Sequence, residues 1–110
     1  MGYLRDEDLN AEVLVIQDDG SEDWIEVQRG LTFDEQDVAL GQDTYCLVRA
    51  GGPTYYGGVV AWSMSDRVFA LELDTEAAQT LDLEIRTEIE IDDGRELIDE
   101  HLSRLLAMPA

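Results

Sequence analysis

The strict alternation of residues 83–91 (LEIRTEIEI) is the feature that most limits what this chain can fold into. Every second residue is apolar or neutral, and the residues between them are charged, which gives a period of two. A strand with this pattern buries one face and leaves the other in water, as is typical of antiparallel sheets. The neutral face consists of Leu83, Ile85, Thr87, Ile89 and Ile91.

Further strand-like segments are separated by turn-forming residues. The first two predict a hairpin through Asp18-Asp19-Gly20, with one side of the second strand buried, and the last three predict an antiparallel meander. The pair Gly57-Gly58 inside the fourth segment indicates a bulge or a close approach by another backbone. These segments are residues 12–17, 24–29, 44–48, 55–62 and 68–73.

Helical patterns are few. Asp74-Thr75 predicts a short helix that ends near Asp82, and residues 31–42 predict a loop with at most one helical turn. Asp92-Asp93-Gly94 leads into a terminal helix, whose apolar face is predicted to cover the sheet and consists of Leu97, Ile98, Leu102, Leu105 and Leu106. Glu100 and Arg104 are spaced for an ion pair on its other face.

These patterns together predict the fold class. We expect residues 1–110 to form a single acidic α+β domain. Its antiparallel meander sheet carries a short helix, and a C-terminal amphipathic helix packs on one face of that sheet.

Charge limits the partners of the chain. There are 26 Asp and Glu against seven Arg, with no Lys, for a formal net charge of −19. Nucleic acids and anionic membranes are bound mainly through Lys and Arg, so neither is an expected partner. The negative field favours a basic protein partner instead. An acidic surface that serves only solubility in a salty cytoplasm is an alternative.

The charge is unevenly distributed along the chain. Residues 1–40 carry a net charge of −10, residues 41–70 are neutral, and residues 71–110 carry −9. The neutral middle contains three of the four tyrosines, together with Cys46 and Trp62. We therefore expect the middle to be the part most committed to the core, and the acidic parts to offer the binding surface.

A cytoplasmic location is expected. No run approaches the roughly 18 apolar residues of a membrane span, and the first eight residues are acidic where a signal peptide would be basic. Cys46 is the single cysteine, so it forms no internal disulfide, which fits a reducing compartment.

No pattern in the sequence predicts catalysis, a metal or a cofactor. His101 has no Ser or Cys placed to pair with it, and Cys46 lies in an apolar segment typical of packing. Carboxylate runs such as residues 6–8 lack the ligand spacing of a calcium loop, which favours a solvated charge run. A glycosidase-like carboxylate pair in a cleft stays the enzymatic alternative.

Three segments of residues 24–83 resemble the immunity protein 10 family of bacterial polymorphic toxin systems. They are FDEQDVALGQDTYCLV (33–48), YYGGVVAWSM (55–64) and LELDTEAAQTLDL (71–83). A C-terminal amphipathic helix is also common to this chain and the family, although its residues do not match a specific motif. The residues that match by position are Asp34, Glu35, Gln36, Asp37, Gly41, Asp43, Thr44, Tyr45, Cys46, Tyr56, Gly57 and Gly58.

The resemblance implies a cytoplasmic protein that binds and neutralises a cognate protein toxin. Such a toxin is expected to be basic, with a nuclease as one candidate class, because nucleases bind phosphates. The expected partner-binding residues are Asp34, Glu35, Asp37 and Asp43; as an alternative, these acids only cap turns and solvate the loop. The rival function is an acidic non-catalytic structural or regulatory module, such as a homodimer joined through an edge strand or at Gly57-Gly58.

Overall fold

The computed structural model describes residues 2–18, 23–32, 35–39, 44–91 and 95–106, and these form eight strands and three helices. The strands are β1 (Gly2–Asp6), β2 (Ala11–Gln17), β3 (Trp24–Gly30), β4 (Cys46–Arg49), β5 (Thr54–Tyr56), β6 (Val59–Ser65), β7 (Val68–Leu73) and β8 (Arg86–Glu90). The helices are α1 (Glu35–Ala39), α2 (Thr75–Leu81) and α3 (Arg95–Leu106).

The strands form two antiparallel sheets. The first has the order β1-β2-β3-β4-β5 and the second the order β6-β7-β8, so strands that follow one another in sequence lie side by side. Each sheet is a meander. A short helix, α2, and the C-terminal helix α3 complete the fold, and α3 contacts β2 and β3. The predicted α+β fold class with an antiparallel meander is confirmed.

The first predicted hairpin is present as β2 and β3. Leu14 pairs with Val27 and Ile16 pairs with Ile25, and all four side chains are buried. Trp24, Glu26 and Gln28, on the other face of β3, are only half-buried, so the expected burial of one side of β3 is confirmed.

β1 was not expected from the sequence. The segment GYLRD shows no apolar alternation, yet it pairs with β2 over its whole length, with Tyr3 opposite Leu14. The strand forms because an edge strand needs only one hydrogen-bonded neighbour and one inward side chain, which Tyr3 supplies.

The segment 55–62 is divided at Gly57-Gly58, where the chain leaves the first sheet and enters the second. Both glycines have positive φ, +78° and +93°. A Cβ atom on Gly58 would lie 2.5 Å from Cβ of Ala77 in α2, and the Gly58 carbonyl accepts a hydrogen bond from the Asp74 amide at 2.9 Å. The expected close approach is thus confirmed, and a bulge follows between Val59 and Ala61.

The alternating segment 83–91 is a strand only over β8. α2 ends at Asp82 in a left-handed conformation, and Thr87 donates its hydroxyl to the Glu84 carbonyl at 2.9 Å. The intervening residues form this turn, and Ile85 is 55% exposed. The predicted burial of Ile85 and the strand start at residue 83 are therefore wrong, because the exit from the helix overrides the alternation.

α2 begins as the sequence predicts. The side chain of Asp74 accepts a hydrogen bond from the Ala77 amide at 2.8 Å, which satisfies one free N–H of the first turn. Both sheets, α2 and α3 contribute to one core. Its largest fully buried side chains are Leu14, Ile16, Leu47, Phe69, Leu73, Leu81, Ile98, Leu102 and Leu105.

The neutral middle of the chain is only partly committed to this core. Tyr45, Cys46 and Leu47 are buried, as expected. β6 is not: Val60 is 68% exposed, and its neighbours alternate between exposed and half-buried. β6 departs from the expectation that the middle is the part most committed to the core, because this strand lies at a sheet edge.

Gly58→Ala should destabilise the fold more than Gly57→Ala. Both changes put a side chain at positive φ, which costs about 1–2 kcal/mol, but only Gly58 has Ala77 in the way. Overpacking should add about 1–3 kcal/mol at Gly58. Urea unfolding of both variants gives the comparison, and equal losses would contradict the steric account.

Candidate interaction surface

Two arginines of the first sheet bind the carboxyl ends of two helices. The guanidinium of Arg29 donates to the carbonyls of Arg104 and Leu105 at 3.1 and 3.2 Å, at the end of α3. Arg49 donates to the carbonyls of Leu81, at 3.0 Å, and of Asp82 at the end of α2. A cation there satisfies unpaired carbonyls and opposes the negative end of the helix dipole.

A third arginine joins α3 to the edge of the first sheet. Arg104 Nη2 lies 2.7 Å from Oε2 of Glu12, whose side chain is 8% exposed. The Tyr3 hydroxyl donates to the same oxygen at 2.6 Å, and Arg104 also lies 3.2 Å from that hydroxyl. The ring of His101 stacks on Tyr3 with 3.6 Å between centroids, and its Nδ1 lies 3.1 Å from Arg104 Nη2.

We call these four side chains, Tyr3, Glu12, His101 and Arg104, the polar clamp. Burial and the neighbouring Glu12 carboxylate raise the pKa of the Tyr3 hydroxyl, which keeps it protonated as a donor to Glu12. Oε2 of Glu12 accepts hydrogen bonds from both Tyr3 on β1 and Arg104 on α3. The Glu12 carboxylate therefore links α3 to the first sheet. His101 has a packing role here, at the edge of the core.

The clamp corrects one sequence expectation. Arg104 was expected to pair with Glu100 along α3, but its guanidinium contacts Glu12 on β2 instead. A buried carboxylate gains more from a cation than an exposed one does, because water does not screen the pair. Glu100 lies 3.8 Å from His101 Nε2.

Other arginines also have intramolecular partners. Arg86 lies 3.0 Å from Glu72 and 3.4 Å from Glu88, and Arg95 lies 3.6 Å from Asp99. With 26 acids against seven arginines in the sequence, this pairing cannot neutralise the negative charge, and described carboxylates such as those of Glu7, Glu84 and Glu96 are exposed. The negative charge is therefore a property of the surface.

Only part of the predicted binding segment lies within the described residues. Glu35 is exposed at the start of α1, and Asp37 lies in the same helix. Asp34 and Asp43 lie outside the described residues. α1 agrees with the single helical turn predicted for residues 31–42.

A second acidic segment, the turn between β1 and β2, is hydrogen-bonded to Thr32, which precedes α1 in the chain. The side chain of Asn10 donates to the Thr32 carbonyl at 2.9 Å and accepts from the Thr32 amide at 3.1 Å. Asn10 has a positive φ of 53°, a conformation that asparagine tolerates. The turn between β1 and β2 is thereby joined to the start of the predicted binding segment.

This turn carries exposed acids and an exposed apolar residue. Asp6 shapes it by accepting from the amides of Asp8 and Leu9 at 3.0 and 3.1 Å. Glu7 and Asp8 are exposed, and Leu9 is 74% exposed. In α1, Val38 is 58% exposed. Carboxylates around isolated apolar side chains suit a protein interface, whose centre is apolar and whose rim is polar.

We call residues 7–9 and α1 together the acidic end. The sequence shows the acids of residues 6–8 as a charge run, but their approach to residue 32 depends on β1 and on Asn10. Neither has a local signal, so the approach of this turn to Thr32 was not expected.

A family model described as Immunity protein 10 matches residues 1–98. The chain belongs to the immunity protein 10 family. The suspected family is confirmed, and the match extends over more of the chain than the motifs in residues 24–83. No curated protein and no solved structure gives a significant match.

The family is one of immunity proteins, generally of toxin–immunity systems. In this member the matched range includes Tyr3 and Glu12 and ends at Ile98, before the other two residues of the clamp. Within the described ranges no three His, Cys, Asp or Glu side chains form a metal-binding group, and no helix there is long and apolar enough to span a membrane.

Cys46 in this immunity-family protein is buried in β4. Burial raises the pKa of its thiol, which keeps the thiol protonated near neutral pH and therefore a poor nucleophile. Packing in the core is the role that its position supports.

A double-mutant cycle should detect the clamp. Arg104→Met should lower the free energy of unfolding by about 1–3 kcal/mol, because it leaves the buried Glu12 carboxylate without its cation. Glu12→Gln with Arg104→Met should lose clearly less than the sum of the single changes.

Arg5→Met is the matched control, since it also removes one positive charge. Arg5 lies 3.8 Å from Glu7 and both side chains are exposed, so the change should stay within about 0.5 kcal/mol. Denaturant unfolding measures all four variants. Additive losses from Glu12 and Arg104 would show that the two side chains act independently.

Proposed function

We propose that this protein binds a cognate protein toxin in the cytoplasm and neutralises it without chemistry of its own. The family match over residues 1–98 is the observation that carries the proposal. The chain is proposed to act as a single domain that needs no cofactor.

The charge of the described surface supports a basic toxin as the partner. Several arginines are engaged within the molecule, at helix ends and in ion pairs, while many carboxylates face solvent. A field of this sign accelerates the encounter with a basic protein and disfavours nucleic acids and anionic membranes. A nuclease toxin is one candidate, because its phosphate-binding surface is basic.

We propose Asp34, Glu35, Asp37 and Asp43 as partner-binding residues, together with the turn at residues 7–9. The hydrogen bonds between Asn10 and Thr32 support this grouping, because they hold the turn between β1 and β2 against Thr32, three residues before α1. Exposed Leu9 and Val38 offer apolar contacts within the acidic surroundings.

Co-expression with the neighbouring gene product tests the function. We expect that gene product alone to arrest growth of a bacterial host, and this protein to restore growth and to co-purify with it. Gly58→Ala, which is expected to destabilise the fold, should weaken both effects. Neither complex nor rescue would remove the support for an immunity function toward that product.

Neutralising the predicted residues should slow association. The variant Asp34→Asn, Glu35→Gln, Asp37→Asn, Asp43→Asn should bind the same gene product about three- to tenfold more slowly at low salt, because local steering is lost. Wild-type association should also slow steeply as salt rises. Stopped-flow mixing measures both rates.

A control with the same net charge separates local from global electrostatics. Glu84→Gln, Glu96→Gln, Asp99→Asn and Glu100→Gln remove four exposed carboxylates elsewhere. This control should associate at a rate within about twofold of the wild type. Equal slowing of the two variants would contradict the placement of the binding surface.

A further inference from the structure

β6 is an edge strand without a charged residue. Its sequence is VVAWSMS, and within the described chain it pairs only with β7. Val60 is 68% exposed, and Ala61, Ser63 and Ser65 are also exposed. In a chain with 30% charged residues, seven neutral residues along an open sheet edge are unusual.

The other described sheet edges carry the usual protection against pairing with a foreign strand. β5 has only three residues, β1 carries Arg5 and Asp6, and β8 carries Arg86, Glu88 and Glu90. Short length and charged side chains are the common means of blocking such pairing. β6 has seven residues and neither device, apart from the bulge between Val59 and Ala61 at its beginning.

The outer face next to this edge can hold a long side chain. Ala61 lies opposite Glu72 and Ser63 opposite Ala70, so small side chains line the sheet between the edge and a carboxylate. They surround a depression of about 150 Å³, into which Glu72 and its partner Arg86 also project. A lysine or arginine on an added strand could lie across Ala61 and end at Glu72.

The charge of the chain disfavours a second copy as the occupant. Two molecules with a formal net charge of −19 repel each other on approach, whereas a basic chain is attracted. Glu72, Glu88 and Glu90 lie on the same outer face as Ala61 and Ser63, with Arg86 as the cation between them, so this face keeps a net negative charge that suits a cationic strand.

We propose that β6 binds an extended segment of the basic partner as a fourth, added strand of the second sheet. Main-chain hydrogen bonds along Ala61 to Ser65 would give affinity, and basic side chains over the small-residue face would give selectivity. This inference rests on the proposed function and adds a contact separate from the acidic end.

Ser63→Lys tests the added strand, with Ser103→Lys as its matched control. Both serines are exposed, and both changes add one positive charge, but Ser103 lies on α3. A lysine at an edge hinders strand pairing and repels basic side chains. We expect Ser63→Lys to raise the Kd for the neighbouring gene product at least about tenfold, and Ser103→Lys to change it less than about threefold.

Hydrogen exchange on the unmodified protein provides an independent readout. Binding should slow amide exchange within residues 61–65 at least about tenfold, because newly paired N–H groups are protected. A complex in which these amides exchange unchanged and Ser63→Lys binds like Ser103→Lys would overturn the added strand and leave the proposed function standing.

Two further outcomes would contradict the proposal. If the wild type forms no complex with the gene product, the proposed function and the strand both fail for that partner. If light scattering shows a dimer at high salt that Ser63→Lys dissociates, the occupant of the edge is a second copy, and the proposal of a basic partner is wrong.

Discussion

The contacts between arginines of the first sheet and the ends of two helices hold this fold together. A sheet face covered by helices must accommodate the carbonyls that each helix leaves unpaired at its end. Arg29 and Arg49 extend from β3 and β4 to α3 and α2 and meet those carbonyls. Because the helices are fixed at these ends, their apolar faces close over the core. The polar clamp adds a second contact at the same end of α3, between Arg104 and Glu12 on β2.

The pairing of arginines with helix ends and with Glu12 also affects the charge of the surface. A cation that donates to a helix end or to a buried carboxylate is not available to balance acids in solvent. Structure and charge are thus coupled: the residues that stabilise the helices leave the exterior acidic. The proposed attraction of a basic toxin would follow from how the core is assembled as well as from the number of carboxylates.

Much of the fold could be predicted from local patterns. The hairpin of β2 and β3, the start of α2 and the glycine break all have signals within a few residues. β1 could not be predicted, because its pairing with β2 supplies the regularity that GYLRD lacks. The alternation at residues 83–85 predicted a strand that is not formed there, because the end of α2 determines the backbone conformation of these residues.

The candidate site was less accessible to sequence reasoning. The acids of residues 34–37 form a recognisable run in the sequence, but the hydrogen bonds between Asn10 and Thr32, which bring the turn at residues 7–9 close to residue 32, have no local signal. The edge position of β6 could not be predicted from its sequence either, because aromatic and β-branched residues occur in central strands as well as in edge strands. The order of strands, which decides where an edge lies, depends on the switch between sheets at Gly57-Gly58.

The attachment of the β1–β2 turn by a single asparagine has a consequence for how the protein can diversify. Asn10 holds the turn and the following segment through its own side chain and backbone, while Glu7, Asp8 and Leu9 make the outward surface. Substitutions at these outward positions leave the inward packing of β2 intact. At this proposed binding turn, point mutations can therefore change the outward side chains while the scaffold beneath them stays the same.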